Sequence, residues 1–311
     1  MRGWWQDLTD LVLPAECGGC GRPRTVLCAE CRAALSGAAP SRVRPVPEPP
    51  GLPLVHAAAR YADEARAVLL AHKERGALAL TGPIGTALAG AVRSGLREAG
   101  TRLHGAVADM GGGWEANGAD REVLLVPVPS GRRAVRARGH DPARRIALAA
   151  AGELRRTGTP ARVLAVLRQR RAVADQAGLN SRQRLDNLAG ALAVVSGAGR
   201  LLGGGPVVLV DDLMTTGASL AEAARAVRAA TAQAAARGRP PAAVVRGVRG
   251  ATPVYSRASR EGREERTGRA AEGRPDLGRT EQGTAHANGV HGLICAAVVA
   301  APPDSFELNR N

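Results

Sequence analysis

The densest chemistry in this chain lies in the run Val207-Val-Leu-Val-Asp-Asp-Leu-Met-Thr-Thr-Gly-Ala-Ser219. Its first four residues read as a strand buried on both faces, and the Ala-rich stretch after it, with Leu220, Ala223, Ala224 and Val227 on one face, reads as a helix. A turn from the carboxyl end of a parallel strand into a helix presents unpaired N–H groups and the positive end of the helix dipole, which together cradle a phosphate. Thr215, Thr216 and Ser219 would add hydroxyl donors, and Gly217 would let a phosphate approach the main chain. Asp211 and Asp212 precede the cradle and cannot themselves bind phosphate. They suit ribose hydroxyls, or Mg²⁺ held through water or sugar oxygens. An ordinary capped helix would account for one Asp or one Thr, not for the whole string.

A second constellation is Cys17-x2-Cys20-x7-Cys28-x2-Cys31. Two CxxC pairs on tight turns bring four thiolates to one point, which suits tetrahedral zinc, and Gly18, Gly19 and Gly21 supply permissive backbone around the first pair. The alternative is a redox or disulfide pair, a poor match to a cytosolic chain with two pairs this close. Four sulfur ligands leave no position open for water, so the expected role of the metal is structural. Cys295 stands alone and reads as a small buried hydrophobe.

These residues need elements to hold them. Residues 36–55 contain six prolines and read as an extended linker, separating a zinc module at 1–35 from a main domain at 56–230. Helical spacing of apolar residues runs from Tyr61 to Lys73 and again from Leu78 to Leu96. A Gly-rich polar patch at 105–120 then leads to the buried strand Val123-Leu-Leu-Val-Pro-Val-Pro129. Arg144 to Arg155 is helical, Val163 to Leu167 a short strand, and 168–187 a polar, Arg-rich loop. Strands alternating with helices predict an α/β fold, a parallel sheet with helices on both sides. Residues 231–292 lack periodicity and read as a disordered, low-complexity insert. Two segments compete to supply the strand after the Ala-rich helix: Leu293 to Ala300, within a returning segment at 293–311, and Ala242 to Val248.

The 311 residues carry 43 Lys plus Arg against 28 acids, a net charge of +15. Every one of these cations is Arg except Lys73. From Arg132 to Arg184 there are fourteen Arg against Asp141, Glu153 and Asp175, so most of the surplus is local, whereas from Arg257 to Glu281 seven Arg face six acids. Such a stretch is either a solvated basic face or an anion site. The chain has only six aromatic residues, which argues against base stacking as a means of binding nucleic acid. Residues 1–16 lack the basic start and apolar core of a signal peptide, and no run reaches the ~20 apolar residues of a membrane span, so a cytoplasmic location is expected.

The 207–219 string resembles the 5-phosphoribosyl 1-diphosphate (PRPP) motif of the type I phosphoribosyltransferases. The likeness extends to the cysteine module, to Lys73 ending the first helix, and to Val126-Pro-Val-Pro129 followed by Arg136-Ala-Arg-Gly-His140. It also takes in Gln176-x2-Leu179-x4-Arg184-x2-Asn187-x2-Gly190 and the closing Phe306-Glu-Leu-Asn-Arg-Asn311. Together these are similar to the ComF family of competence-associated, phosphoribosyltransferase-like proteins, over nearly all of the chain outside 231–292. The resemblance implies that Asp211 and Asp212 bind the ribose 2′ and 3′ hydroxyls, with a minor role as general base. It implies that Thr215, Thr216, Gly217, Ala218 and Ser219 hold the 5′-phosphate, mostly through main-chain N–H groups. Pro129, Ser130 and Gly131 would face the pyrophosphate, and Arg168 to Asn187 would form a mobile hood. The sequence departs from the family pattern where Arg138-Gly139 is followed by His140-Asp141-Pro142 in place of an aromatic-Asn-Gln.

The implied function is a glycosyltransferase reaction on PRPP with Mg²⁺, passing phosphoribosyl to an unidentified nitrogen nucleophile and releasing pyrophosphate. The alternative is a non-catalytic factor of competence, DNA uptake or DNA processing, with the basic stretch contacting single-stranded DNA or a helicase-like partner.

Overall fold

A computed structural model describes residues 16–108, 121–171, 181–238 and 293–306. Its centre is a six-stranded sheet of order β1-β2-β8-β7-β3-β4. The strands are β1 (Ser41–Val43), β2 (Val55–Arg60), β3 (Val123–Pro127), β4 (Ala161–Val163), β7 (Val207–Leu213) and β8 (Ile294–Ala301). All neighbours run parallel except β1, which pairs antiparallel with β2 at the edge. A separate antiparallel hairpin is formed by β5 (Leu167–Gln169) and β6 (Leu192–Val194). The helices are α1 (Ala29–Ser36), α2 (Asp63–Glu74), α3 (Thr81–Ala108), α4 (Arg132–Arg138), α5 (Pro142–Arg156), α6 (Ser181–Leu188) and α7 (Ala218–Gly238).

The apolar strands divide their side chains between two cores by simple alternation. Leu125, Val208, Val210, Cys295, Ala297 and Val299 face one core, shared with α1, α2, α3 and α5. Leu124, Val126, Val207, Leu209, Ala296 and Val298 face the other, shared with α7 and the β5–β6 hairpin. Burial on both faces is why these segments read as unbroken apolar runs. The Ala-rich composition lets helices approach closely: a Cβ on Gly85 of α3 would stand 2.5 Å from the Ala149 Cβ of α5.

Several expectations are revised. The proline-rich stretch 36–55 holds β1 and the start of β2, because an edge strand tolerates neighbouring prolines. The cysteine segment is not set apart by it: Cys17, Leu27, Cys28, Cys31 and Leu35 are buried in the same core as Val68, Leu69, Leu80 and Leu88. The strand expected at Val163 to Leu167 is instead the end of β4 and the start of β5, in different sheets, with Leu164 to Val166 between them. The expected loop at 168–187 contains part of β5 and most of α6, while 172–180 lie outside the described residues. The helix that begins at Ala218 continues to Gly238, eight residues into the segment expected to lack structure; the rest of that segment, including Ala242 to Val248, lies outside the described residues. Residues 294–301 supply the strand beside β7 and insert it between β7 and β2.

Candidate functional site: a cleft at the carboxyl ends of β3 and β7

The connection leaving β3 crosses through α4 and α5 to β4, at one end of the sheet, while that leaving β7 runs through α7 toward β8 on the other side. Neighbouring parallel strands whose connections diverge leave a crevice beyond their carboxyl ends, the usual ligand position in open α/β sheets. A cleft of ≈ 320 Å³ lies there. It is lined by Pro129, Ser130 and Gly131 after β3 and by Asp211, Asp212, Leu213, Thr215 and Ser219 on and after β7. Two stretches some eighty residues apart, each selected from sequence, thus meet across one opening. Val128, Ala134, Leu188 and Leu192 add apolar wall, and Lys73, Arg138 and Gln169 complete it.

On the β3 side, the unfamiliar His140-Asp141-Pro142 has a plain local reason. Asp141 caps α5, its Oδ1 accepting the Arg144 N–H at 3.3 Å, and Pro142 occupies the first helical turn. The same oxygen accepts from Ser130 Oγ at 3.3 Å, so the helix cap also orients the turn that faces the cleft. His140 points its Nδ1 at the Arg138 carbonyl, 3.1 Å away, and stacks edge-on against His72 with ring centroids 5.7 Å apart. Burial, then the neighbouring His140, push His72 down to about 4, so it is neutral at physiological pH.

On the β7 side, Asp212 is 8% exposed and bonded to Lys73, Nζ to Oδ2 2.8 Å. Asp211 accepts the Asp212 N–H at 2.9 Å. Burial, and next the Asp212 charge, push Asp211 well above the usual carboxylate range. Burial presses the Lys73 ammonium down, but the Asp212 and Asp211 carboxylates outweigh it and hold it above its ordinary value. Sequence reading singled out Lys73 without a role. Its bond to a residue 139 positions away exists only once the sheet has formed.

Thr215 and Ser219 face the cleft, while Gly217 and Ala218 are buried in the turn beneath. Thr215 Oγ1 is also reached by Arg184 of α6 at 3.4 Å. Gly217 also meets a conformational need. Its φ of +73° is a conformation that side-chain-bearing residues rarely adopt, and a Cβ there would press on Leu52 and Pro45 at 3.2–3.3 Å. The glycine shapes the turn and packs it on the segment before β2.

The β5–β6 hairpin is fastened to α7 by Glu222. Its carboxylate is buried, accepts the Leu192 N–H at 2.9 Å, and pairs with Arg225 through Nε at 2.6 Å and Nη2 at 2.8 Å. Arg225 Nη2 in turn donates to the Leu192 carbonyl at 3.1 Å. Burial raises Glu222, but the Arg225 and Leu192 donors outweigh it and hold the carboxyl below its ordinary range.

Away from the cleft, the ligand sulfurs of Cys17, Cys20, Cys28 and Cys31 all lie within 4.8 Å of one another, so the four could hold a metal such as zinc. Tetrahedral S4 coordination at ~2.3 Å needs sulfurs roughly 3.8 Å apart, and Cys20 and Cys28 stand at 3.6 Å. The Cys28 and Cys31 N–H groups point at the Cys17 and Cys28 sulfurs, the donor pattern that suits thiolates. Gly19 is required for space, since a Cβ there would lie 2.6 Å from the Cys31 sulfur. None of these four cysteines forms a disulfide, and burial pushes the Cys295 thiol up to about 12, leaving it inert. Among the described residues no helix is long and apolar enough to cross a membrane.

The molecule is thus an α/β protein with a switch-point cleft and a four-cysteine cluster, three of whose members, Cys17, Cys28 and Cys31, are buried in the core on one face of the sheet. No family model matches the chain, and no curated protein matches it.

Proposed function

We propose that the chain is a type I phosphoribosyltransferase-like protein of the ComF kind, which binds PRPP with Mg²⁺ in the β3–β7 cleft and carries a structural zinc ion on Cys17, Cys20, Cys28 and Cys31. One observation carries the reading: Pro129-Ser-Gly131, Asp211-Asp212, Thr215 and Ser219 share one opening beyond the ends of two adjacent parallel strands. In this reading the 5′-phosphate sits at the turn before α7, where Thr215 and Ser219 offer hydroxyls beside the amino end of a 21-residue helix. The acids hold ribose hydroxyls, and the turn after β3 faces the pyrophosphate.

The reaction is displacement at ribose C1. The bond to the pyrophosphate oxygen breaks with its electron pair, positive charge builds on the sugar ring, and a nitrogen nucleophile closes the new bond. Such a reaction depends more on neutralising the leaving group than on a strong base. Mg²⁺ bound with the phosphosugar would supply part of that neutralisation, and among the described residues Lys73 and Arg138 are the cationic side chains that line the cleft.

Calorimetry should give saturable, Mg²⁺-dependent PRPP binding that the combined Asp211→Ala and Asp212→Ala variant weakens by about tenfold or more. Binding by the double variant equal to the parent's would overturn the site assignment. Pyrophosphate release in the presence of nucleobases and other nitrogen nucleophiles tests turnover and the acceptor together.

A further inference from the structure

The carboxyl end of α2 grips both walls of the cleft with three consecutive side chains. His72 lies against His140 and bonds Thr81 through Nε2 at 3.2 Å, Lys73 bonds Asp212, and Glu74 pairs with Arg138. The two cations differ in freedom. The Arg138 guanidinium is held by both Glu74 oxygens, Nε at 3.3 Å and Nη2 at 2.9 Å, a planar fork matched to a planar carboxylate. Among the described residues Lys73 makes one ion pair, at the tip of a flexible four-carbon stem that lines the cleft, and 31% of its side chain is exposed. A compact ammonium on such a stem can exchange one oxygen partner for another within the same opening. The carboxylate it covers is the one a sugar hydroxyl or a divalent cation would need.

Resting on the phosphosugar reading of the cleft, we propose that Lys73 is an exchange cation: in the free protein it neutralises Asp212, and when the Mg²⁺–phosphosugar complex binds it passes to a phosphoryl oxygen of the pyrophosphate group. Two requirements are met by one side chain. The buried acid is never left without a counter-charge, and the leaving group gains a cation only when ligand is present. No covalent bond changes in this exchange, and the ammonium keeps its proton.

The two halves of the exchange have opposite signs on removal. In Lys73→Met, Asp212 loses its competitor, so Mg²⁺ alone should bind about tenfold tighter, while magnesium pyrophosphate and magnesium PRPP should bind about 10- to 100-fold more weakly. A lysine that merely held the fold would weaken all three together, and that result would overturn the proposal. Because the chain has a single lysine, reductive ¹³C-methylation gives one side-chain signal, distinguished from the α-amino group by its loss in Lys73→Met. That signal should shift when magnesium pyrophosphate is added to the intact protein. If PRPP binds by calorimetry but the Lys73 signal is unmoved by either ligand, the exchange is refuted and the phosphosugar reading stands. If neither ligand binds, both fall.

Discussion

Glu222 offers the most quantitative test of how the cleft is built. Its carboxylate is 5% exposed and terminates both polar groups of the Leu192 main chain, directly through the N–H and by way of Arg225 through the carbonyl. Glu222→Gln keeps an oxygen for the Leu192 N–H but removes the charge shared with Arg225. Since that arginine is 51% exposed, the ion pair is solvent-screened and its loss should cost only about 0.5–1 kcal/mol. Glu222→Ala removes the acceptor and strands a buried N–H, adding about 1–3 kcal/mol. The alanine variant should therefore be less stable than the glutamine one by at least about 1 kcal/mol, read as a shift of the urea midpoint at unchanged slope in far-ultraviolet circular dichroism. The pH dependence follows from the lowered carboxyl. Its contribution is complete above the ordinary glutamate range and disappears as pH falls through the depressed folded value. The gap between parent and Glu222→Gln should thus be constant near neutrality and close in acid. Equal stabilities for the alanine and glutamine variants would refute the reasoning, because they would mean that the Leu192 amide does not depend on this oxygen.

Two further outcomes are expected. Reduced, freshly purified protein should carry one zinc per chain, and stripping it should lower the melting temperature by at least about 5 °C, since Cys17, Cys28 and Cys31 are part of the core; absence of stoichiometric metal in elemental analysis would defeat the assignment. Gly217→Ala forces a side chain into a left-handed backbone position against Leu52, so it should cost about 1–2 kcal/mol in chemical unfolding, and a neutral result would show that the turn relaxes freely.

The sheet was readable where burial on both faces leaves no polar residue to interrupt a strand, as in 207–210, 123–126 and 294–300. Elements whose stability comes from distant partners were not. The seven residues of α4, Arg132–Arg138, have little apolar periodicity of their own, and Arg138 at their end is fixed by Glu74, 64 positions away. The strand β2 carries His56, a polar residue that is buried because Glu98 of α3 meets its Nε2 at 2.9 Å. In the cleft, the acids and hydroxyls were found because their chemistry is written into one local string. Leu192 reaches it only through tertiary folding, with nothing in its own neighbourhood to mark it, and the contact of Lys73 with Asp212 is likewise set by the fold. The end of α7 extends past the legible face of Leu220, Ala223, Ala224 and Val227 because the Ala-rich residues 228–238 carry high helix propensity without larger apolar residues to mark a face.

The position of β8 has a consequence for assembly. A strand encoded after residue 293 sits between β2 and β7, so these two are not neighbours in any chain that stops before it. Until it arrives the sheet is two unjoined halves, β1-β2 and β7-β3-β4, each with a bare hydrogen-bonding edge. Among the described residues β8 is the strand synthesised after all the others, and it is the one that joins the half carrying Lys73 to the half carrying Asp212.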